Sequence, residues 1–380
     1  MRIFHNLNVD FLGKRKFFYI LSTTIIVLGF ISILTRGLQF GIDFKGGTEV
    51  VLEFDKAIDI TNVRNMLETS GLGNLEVKTF GAETGALIRT EAQNIPAAIR
   101  PQILSKIDGL IVKAYKGIKI TKAEDTTAGS VTYNFAGPDT ANKVSQLLFE
   151  NGYQASRVSL EANNAEVIVR VGVSDVIKEN LKEKLSGNTF KVLREDRIGP
   201  KVGNELKRDA IIAVVLSLLG ILIYLAFRFK FVFATTAVLA LFHDVLLTIG
   251  LFSLFYGVIP GLNLEVDLTI VAAFLTLIGY SINDTVIVFD RVRETIKIHK
   301  GGNLTVLMNE AVNKTMSRTI LTGGTTILGV IILLIFGGEV LRAFAFTLFF
   351  GIIVGTYSSI FVASALVLDY TEKYKKTVEF

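Results

Sequence analysis

With 380 residues, half of them hydrophobic, and a mean hydropathy of +0.50, the chain is too apolar for a soluble globular protein and points to several membrane spans. It has no cysteine, which excludes a disulfide framework, thiolate chemistry, Cys-based metal sites and a lipoprotein anchor. The formal charge of +5 is modest and sits in short segments flanking the apolar runs, so it reports topology and offers no nucleic-acid patch.

Residues 17–34 form an apolar run behind Lys14-Arg15-Lys16, long enough to cross the hydrocarbon core. No A-x-A-like cleavage site follows at Thr35-Arg36-Gly37, so residues 1–35 read as a cytoplasmic N-terminus and an uncleaved first span. The stretch 36–209 is polar and nearly neutral, with 24 Lys/Arg against 23 Asp/Glu. Patterning predicts strands at 49–54, 75–80, 85–90 and 111–120, with helices at 60–70 and 96–108, a β-α-β-β-α-β order. The order repeats: strand 130–136, helix 139–151, strands 154–160 and 165–171, helix 175–186, strand 190–196. Two ferredoxin-like modules in tandem are therefore expected, at 36–125 and 126–209, with 121–130 as the linker.

Five further apolar runs, at about 210–227, 231–256, 266–289, 319–336 and 343–368, bring the spans to six. The segments between them separate by charge. Four Lys/Arg lie in the first 16 residues, two in 228–230, six in 291–318 and three in the tail 369–380; loop 257–266 has none and 337–342 only Arg342. The positive-inside rule then puts both termini and the loop 290–318 in the cytoplasm and 36–209 across the membrane. The fold class expected is an α-helical membrane protein of six spans carrying an α+β extracytoplasmic domain. Gly351, Gly355, Ser359 and Ala363, and the run Gly323-Gly324-Thr325-Thr326, read as helix-packing faces. Leu304, Leu307, Met308, Ala311 and Val312 predict a short helix lying on the cytoplasmic membrane surface.

Three polar features interrupt the spans. GYSINDTVIVFDRVRE at 279–294 places Asn283 and Asp284 in the fourth span, where a carboxylate costs several kcal/mol, about 2.5–3.5 on insertion scales. Asp284 is either a protonatable group on an ion pathway or a structural pin between helices. Arg318 opens the fifth span at a similar depth. It is either a partner whose approach would bind or release a proton at Asp284, or a plain positive-inside anchor. His243-Asp244 sits near the middle of the third span, as a relay or as a hydrogen-bonded structural pair. Two rival functions are an intramembrane aspartyl protease, whose glycine-x-glycine-aspartate motif is absent, and a non-conducting scaffold presenting an external binding domain.

Four separated motifs resemble the SecF family of protein-export membrane subunits, of the SecD/SecF group in the RND superfamily. They are GIDFKGGTEV at 41–50, IGPKVGNELKRDAI at 198–211, HDVLLTIG at 243–250 with DLTIVAAFLTLIGYSINDTVIVFDRVRE at 267–294, and SRTILTGGTT at 317–326 with FGG at 336–338. Within the first, Gly41, Asp43, Gly46 and Gly47 carry the signature. The Gly46-Gly47 pair suits a tight backbone approach and lacks the following Lys-Ser/Thr of a phosphate cradle. The resemblance implies a six-span half of a SecD–SecF unit in the bacterial cytoplasmic (inner) membrane. It implies no enzyme activity and no cofactor or metal, with the proton-motive force driving export of unfolded polypeptide beside the SecYEG channel. YajC and YidC are implied as further partners, membrane lipid surrounds the spans, and no nucleic acid is involved. The proton pathway it implies runs through Asp284, Arg318 and Asn283, with no role carried over for His243 and Asp244. The family region between the first two spans accommodates one ferredoxin-like unit, whereas this chain has about 170 residues there, so an inserted module is expected.

Overall fold

The computed structural model describes residues 7–125, 129–159, 161, 163–185, 187–259, 262–299 and 302–374. Contacts divide it into a membrane unit, the residues up to Phe44 with those from Asn204 onward, and a polar unit, Lys45–Gly203.

The polar unit holds β1 (Gly47–Phe54), α2 (Ile60–Glu68), β2 (Leu75–Phe80), β3 (Ala82–Thr90), α3 (Arg100–Ala114), β4 (Thr121–Asp125), β5 (Ser130–Asn134), α4 (Pro138–Glu150), β6 (Gln154–Arg157), β7 (Glu166–Arg170), α5 (Val173–Lys184) and β8 (Phe190–Ile198); α1 belongs to the membrane unit. The strands form two antiparallel four-stranded sheets, ordered β2-β3-β1-β8 and β4-β5-β7-β6. Each has the strand order of a ferredoxin-like unit, but the two are not in tandem. The first unit is β1-α2-β2-β3, resumed by α5-β8, with α5 packing beside α2. The second is the uninterrupted run α3-β4-β5-α4-β6-β7, a permuted unit inserted between β3 and α5.

This corrects the division at 125/126, which falls inside the β4–β5 hairpin. It also corrects the linker: Thr121–Asp125 pairs with Ser130–Asn134 residue for residue. The strand expected at 111–120 is absent, since residues 111–114 complete α3 and β4 begins at Thr121. Short loop closure favours β4 pairing with its immediate successor. The alternation of a strand reports which face is buried and says nothing about which partner closes the sheet.

One apolar core runs through both units, from Val50, Leu52 and Phe54 to Ile107, Tyr133 and Val167. Polar contacts fasten them across α3 and α5: Lys106 pairs with Glu179 at 3.2 Å and with Glu183, and the Tyr153 hydroxyl donates to Glu179 at 3.1 Å. A charged row crosses the first sheet. Buried Glu49 accepts from Arg89 at 2.5 Å and from Arg194 at 2.8 Å, and Arg89 reaches Glu76 at 3.2 Å. Asp175 closes the first turn of α5 by accepting from Gly172 N–H at 2.8 Å. Burial pushes its carboxyl above the ordinary carboxylate range, against the pull of the Lys178 ammonium 2.6 Å away.

Among the described residues, the membrane unit contains six helices long and apolar enough to cross a bilayer. They are α1 (Arg15–Arg36, extended by a turn from Leu12), α6 (Pro200–Arg228), α7 (Phe231–Phe255), α8 (Leu268–Ile298), α9 (Leu304–Phe336), and α10 (Gly338–Ser358) continued through a π-helical turn (Ser359–Ser364) into α11 (Ala365–Tyr374). Glycines allow two close helix crossings. A Cβ on Gly29 of α1 would meet the Gly250 Cα of α7 at 2.7 Å, and one on Gly351 of α10 would meet Leu277 of α8 at 2.0 Å. Beside the first pair, Ser32 and Ser253 exchange a hydrogen bond of 2.9 Å.

Two expectations change here. Residues 304–316 are the first third of the continuous helix α9, not a separate surface helix. Its predicted apolar face is real, because Leu307, Met308, Ala311 and Val312 are buried, but it packs on the bundle. On the same stretch Asn309 and Asn313 hold the backbone of Val9, Phe11 and Leu12. The expected loop 290–318 is largely helical, because α8 runs to Ile298 and α9 starts at Leu304. Hydropathy marks where a helix leaves the hydrocarbon, and charged residues continue it beyond.

Glu49→Gln leaves two guanidiniums short of a buried carboxylate and should lower the stability of the polar unit by about 3 kcal/mol in chemical denaturation. Exposed Glu53→Gln on the same strand should stay within ~0.5 kcal/mol. For Asp175 a raised native pKa means its stabilising contribution is present below the unfolded carboxylate value and is lost as pH rises through the native one. Asp175→Asn should therefore flatten the fall in unfolding midpoint over that acidic interval.

Candidate functional site

The signature at 41–50 divides between the two units. In the membrane unit, Gly41 N–H donates to Val266 carbonyl at 2.9 Å, and a Cβ at Gly41 would meet the Asp267 Cβ at 3.0 Å. Asp43 accepts from Leu268 N–H at 3.0 Å and Asp267 from Ile270 N–H at 2.9 Å, so two carboxylates cap the first turn of α8. In the polar unit, Gly46 and Gly47 have positive φ (74° and 111°), and a Cβ on Gly47 would lie 2.3 Å from the Thr90 carbonyl oxygen. The signature is thus backbone architecture at the start of α8 and of β1.

Asp284 lies near the middle of α8 and is buried. Among the described residues its hydrogen-bond donor is Thr356 of α10, at 3.4 Å to Oδ2. Arg318 is close enough on α9 to act on Asp284 electrostatically but makes no ion pair with it within 4.0 Å, and its side chain is exposed. Asn283 is exposed on the outer side of α8, turned from Asp284 by one helical step, and so does not join the cluster.

The third feature is a closed network. Asp244, fully buried on α7, accepts from Ser281 of α8 at 2.6 Å and from Ser358 of α10 at 2.8 Å, both on Oδ2. Its Oδ1 lies 2.9 Å from His243 Nδ1. His243 Nε2 is 3.1 Å from the Tyr357 hydroxyl, which is 2.5 Å from Ser22 of α1. With neutral His243 protonated on Nδ1, every member is satisfied: Tyr357 donates to Nε2 and accepts from Ser22. Four helices are thereby tied together by side chains.

Sequence reading located Asp284, Arg318, His243 and Asp244 but missed Ser22, Ser281, Thr356, Tyr357 and Ser358. A signal was present: Thr356-Tyr357-Ser358-Ser359 sets four hydroxyls in a row inside an apolar span. What admits them is close packing. A Cβ on Gly355 would sit 2.8 Å from the Ser281 Cβ, so α8 and α10 nearly touch where the network crosses.

Six spans, a polar unit built on ferredoxin-like sheets, and carboxylates buried amid the helices define a polytopic membrane protein with a large polar insert between its first two spans. Residues 176–373 match the model of the SecD/SecF protein export membrane protein C-terminal region, and residues 31–58 match the SecD/SecF GG motif. The SecF protein translocase subunit of Rhodothermus marinus is 40% identical over 370 residues, covering 97% of this chain and 95% of that protein. The corresponding subunit of Koribacter versatilis is 36% identical over 394 residues, covering 98% and 94%. The crystal structure of SecDF, a translocon-associated membrane protein from Thermus thermophilus, superposes with a TM-score of 0.63 at 27% identity. It covers 97% of this chain, which spans 39% of the length of that one. The chain belongs to the SecF family.

Gly355→Ala should push α8 from α10, break the Thr356–Asp284 and Ser358–Asp244 contacts together, and lower the thermal stability of the purified membrane protein. Gly220→Ala on α6, where a Cβ meets nothing within 4 Å, should leave the melting temperature unchanged or raise it slightly.

Proposed function

We propose that this chain is the SecF half of a SecD–SecF complex that uses the proton-motive force to promote translocation and release of exported, unfolded polypeptide. It works beside the SecYEG channel in the bacterial inner membrane, with YajC and YidC as further partners. The Lys/Arg asymmetry of the connections supports cytoplasmic termini and an extracytoplasmic polar unit. The observation that carries the coupling is Asp284: a buried carboxylate midway along a membrane helix, with one long hydrogen bond and a nearby arginine that is not paired with it.

A carboxylate held by many donors stays in one state, and Asp284 is held by few. It can take a proton without breaking a saturated shell. Approach of the Arg318 guanidinium favours the ionised carboxylate and its withdrawal favours the acid. A movement of α9 past α8 therefore binds a proton in one position and releases it in the other. One proton falling through 100 mV supplies about 2.3 kcal/mol, enough to bias a two-state movement by about fiftyfold.

The test is export of a secreted reporter into vesicles containing SecD, the channel and this chain, with and without a proton gradient. Asp284→Asn and Arg318→Met, at matched assembly, should abolish the gradient's benefit and leave gradient-independent export in place. Full retention of the benefit in both variants would make this subunit a scaffold for a motor lying elsewhere.

A further inference from the structure

The two buried carboxylates are built in opposite ways. Asp244 has both oxygens occupied, by Ser281, Ser358 and His243, while Asp284 has Thr356. Three consecutive residues of α10 serve three different groups: Thr356 faces Asp284, Tyr357 faces His243 and Ser358 faces Asp244. Directly after them the backbone enters the π-helical turn Ser359–Ser364, where the Ser364 hydroxyl donates to the Ser359 carbonyl. A π turn carries an extra residue in the helical ladder and so shifts which faces the segments on either side of it present, relative to a regular α-helix. The hydrogen bonds of Tyr357 and Ser358 hold the face of the segment before it.

Resting on the proton-coupling reading of Asp284, we infer that Asp244 and His243 are positioning residues: they clamp α10 at Tyr357 and Ser358 so that Thr356 is presented to Asp284. The proton does not pass through them. Ser22 anchors the far end of the clamp to α1 through Tyr357, so the rotation of α10 is referenced to α1, α7 and α8 at once. The charged group that acts on Asp284 is Arg318 on α9, and His243 and Asp244 on α7 with Tyr357 on α10 form the clamp beside it.

Asp244→Asn separates positioning from proton carriage. Its amide oxygen can still accept from Ser281 and Ser358, while its N–H donates to His243 Nδ1 in the other tautomer, whose Nε2–H then donates to Tyr357. The full chain with SecD in membranes is treated with a hydrophobic carbodiimide, and modification at Asp284 is read by peptide mass spectrometry alongside gradient-driven export. Asp244→Asn should keep Asp284 modification within about twofold of wild type and keep the gradient response. Asp244→Ala, Tyr357→Phe and Ser358→Ala should each change the modification rate at Asp284 by about fivefold, one hydrogen bond's worth. Loss of the gradient response in Asp244→Asn with unchanged Asp284 modification would overturn the inference, because Asp244 would then carry the proton. Unchanged modification in Tyr357→Phe and Ser358→Ala, the two mildest variants, would overturn it as well. The labelling does not depend on whether Asp284 couples to export, so it judges the clamp even if Asp284→Asn keeps the gradient response.

Discussion

Everything in the membrane unit follows from the scarcity of hydrogen-bond partners in hydrocarbon. A carboxylate there must be surrounded by donors that the protein itself supplies. Asp244 meets that demand in full, with donors from α8, α10 and its own neighbour His243. Meeting it requires α8 and α10 to approach until only glycine fits at positions 351 and 355. The small-residue stripe, the hydroxyl run at 356–359 and the buried acid are thus one design, in which each part makes sense only with the others. Asp284 sits at the edge of this arrangement, one helical turn beyond Ser281, where the supply of donors thins out.

The polar unit uses charge differently. Glu49 and Arg89 are nearly as buried as any residue of the core, yet they sit in a row that alternates sign from Glu76 through Arg89 and Glu49 to Arg194. Such a row supports the register, since a slip by one residue would turn its charges into the apolar layer. Lys106 acts between the two inserted and interrupted units in a similar way, reaching both Glu179 and Glu183 of α5 from α3.

Much of this was legible in the sequence because it is local. Alternation found the strands at 75–80 and 166–170 within a residue or so, and hydropathy found six spans. Asp284 and Asp244 announced themselves as charges where charge is costly. What the sequence left hidden is non-local. Nothing in TKAED says that β4 completes the second sheet, or in FKVLREDRI that β8 returns to the first. Arg318 resembled a helix-opening anchor because hydropathy starts the span there, whereas α9 begins fourteen residues earlier at Asn303's cap. Ser281 and Ser358 are unremarkable residues in an apolar helix until Asp244 is placed between them.

The insertion of one ferredoxin-like unit inside another also sets a calendar for the growing chain. The second unit is contiguous, so its sheet can close as soon as β7 has been made. The first cannot, because Glu49 waits for Arg194, 145 residues downstream. Until then the β1 edge is an unpaired template, the kind of surface that invites wrong partners. Its partner strand is followed within two residues by α6, the second membrane span. Closing of the first sheet and synthesis of that span are therefore nearly simultaneous events, and a delay in closing leaves the same open edge exposed.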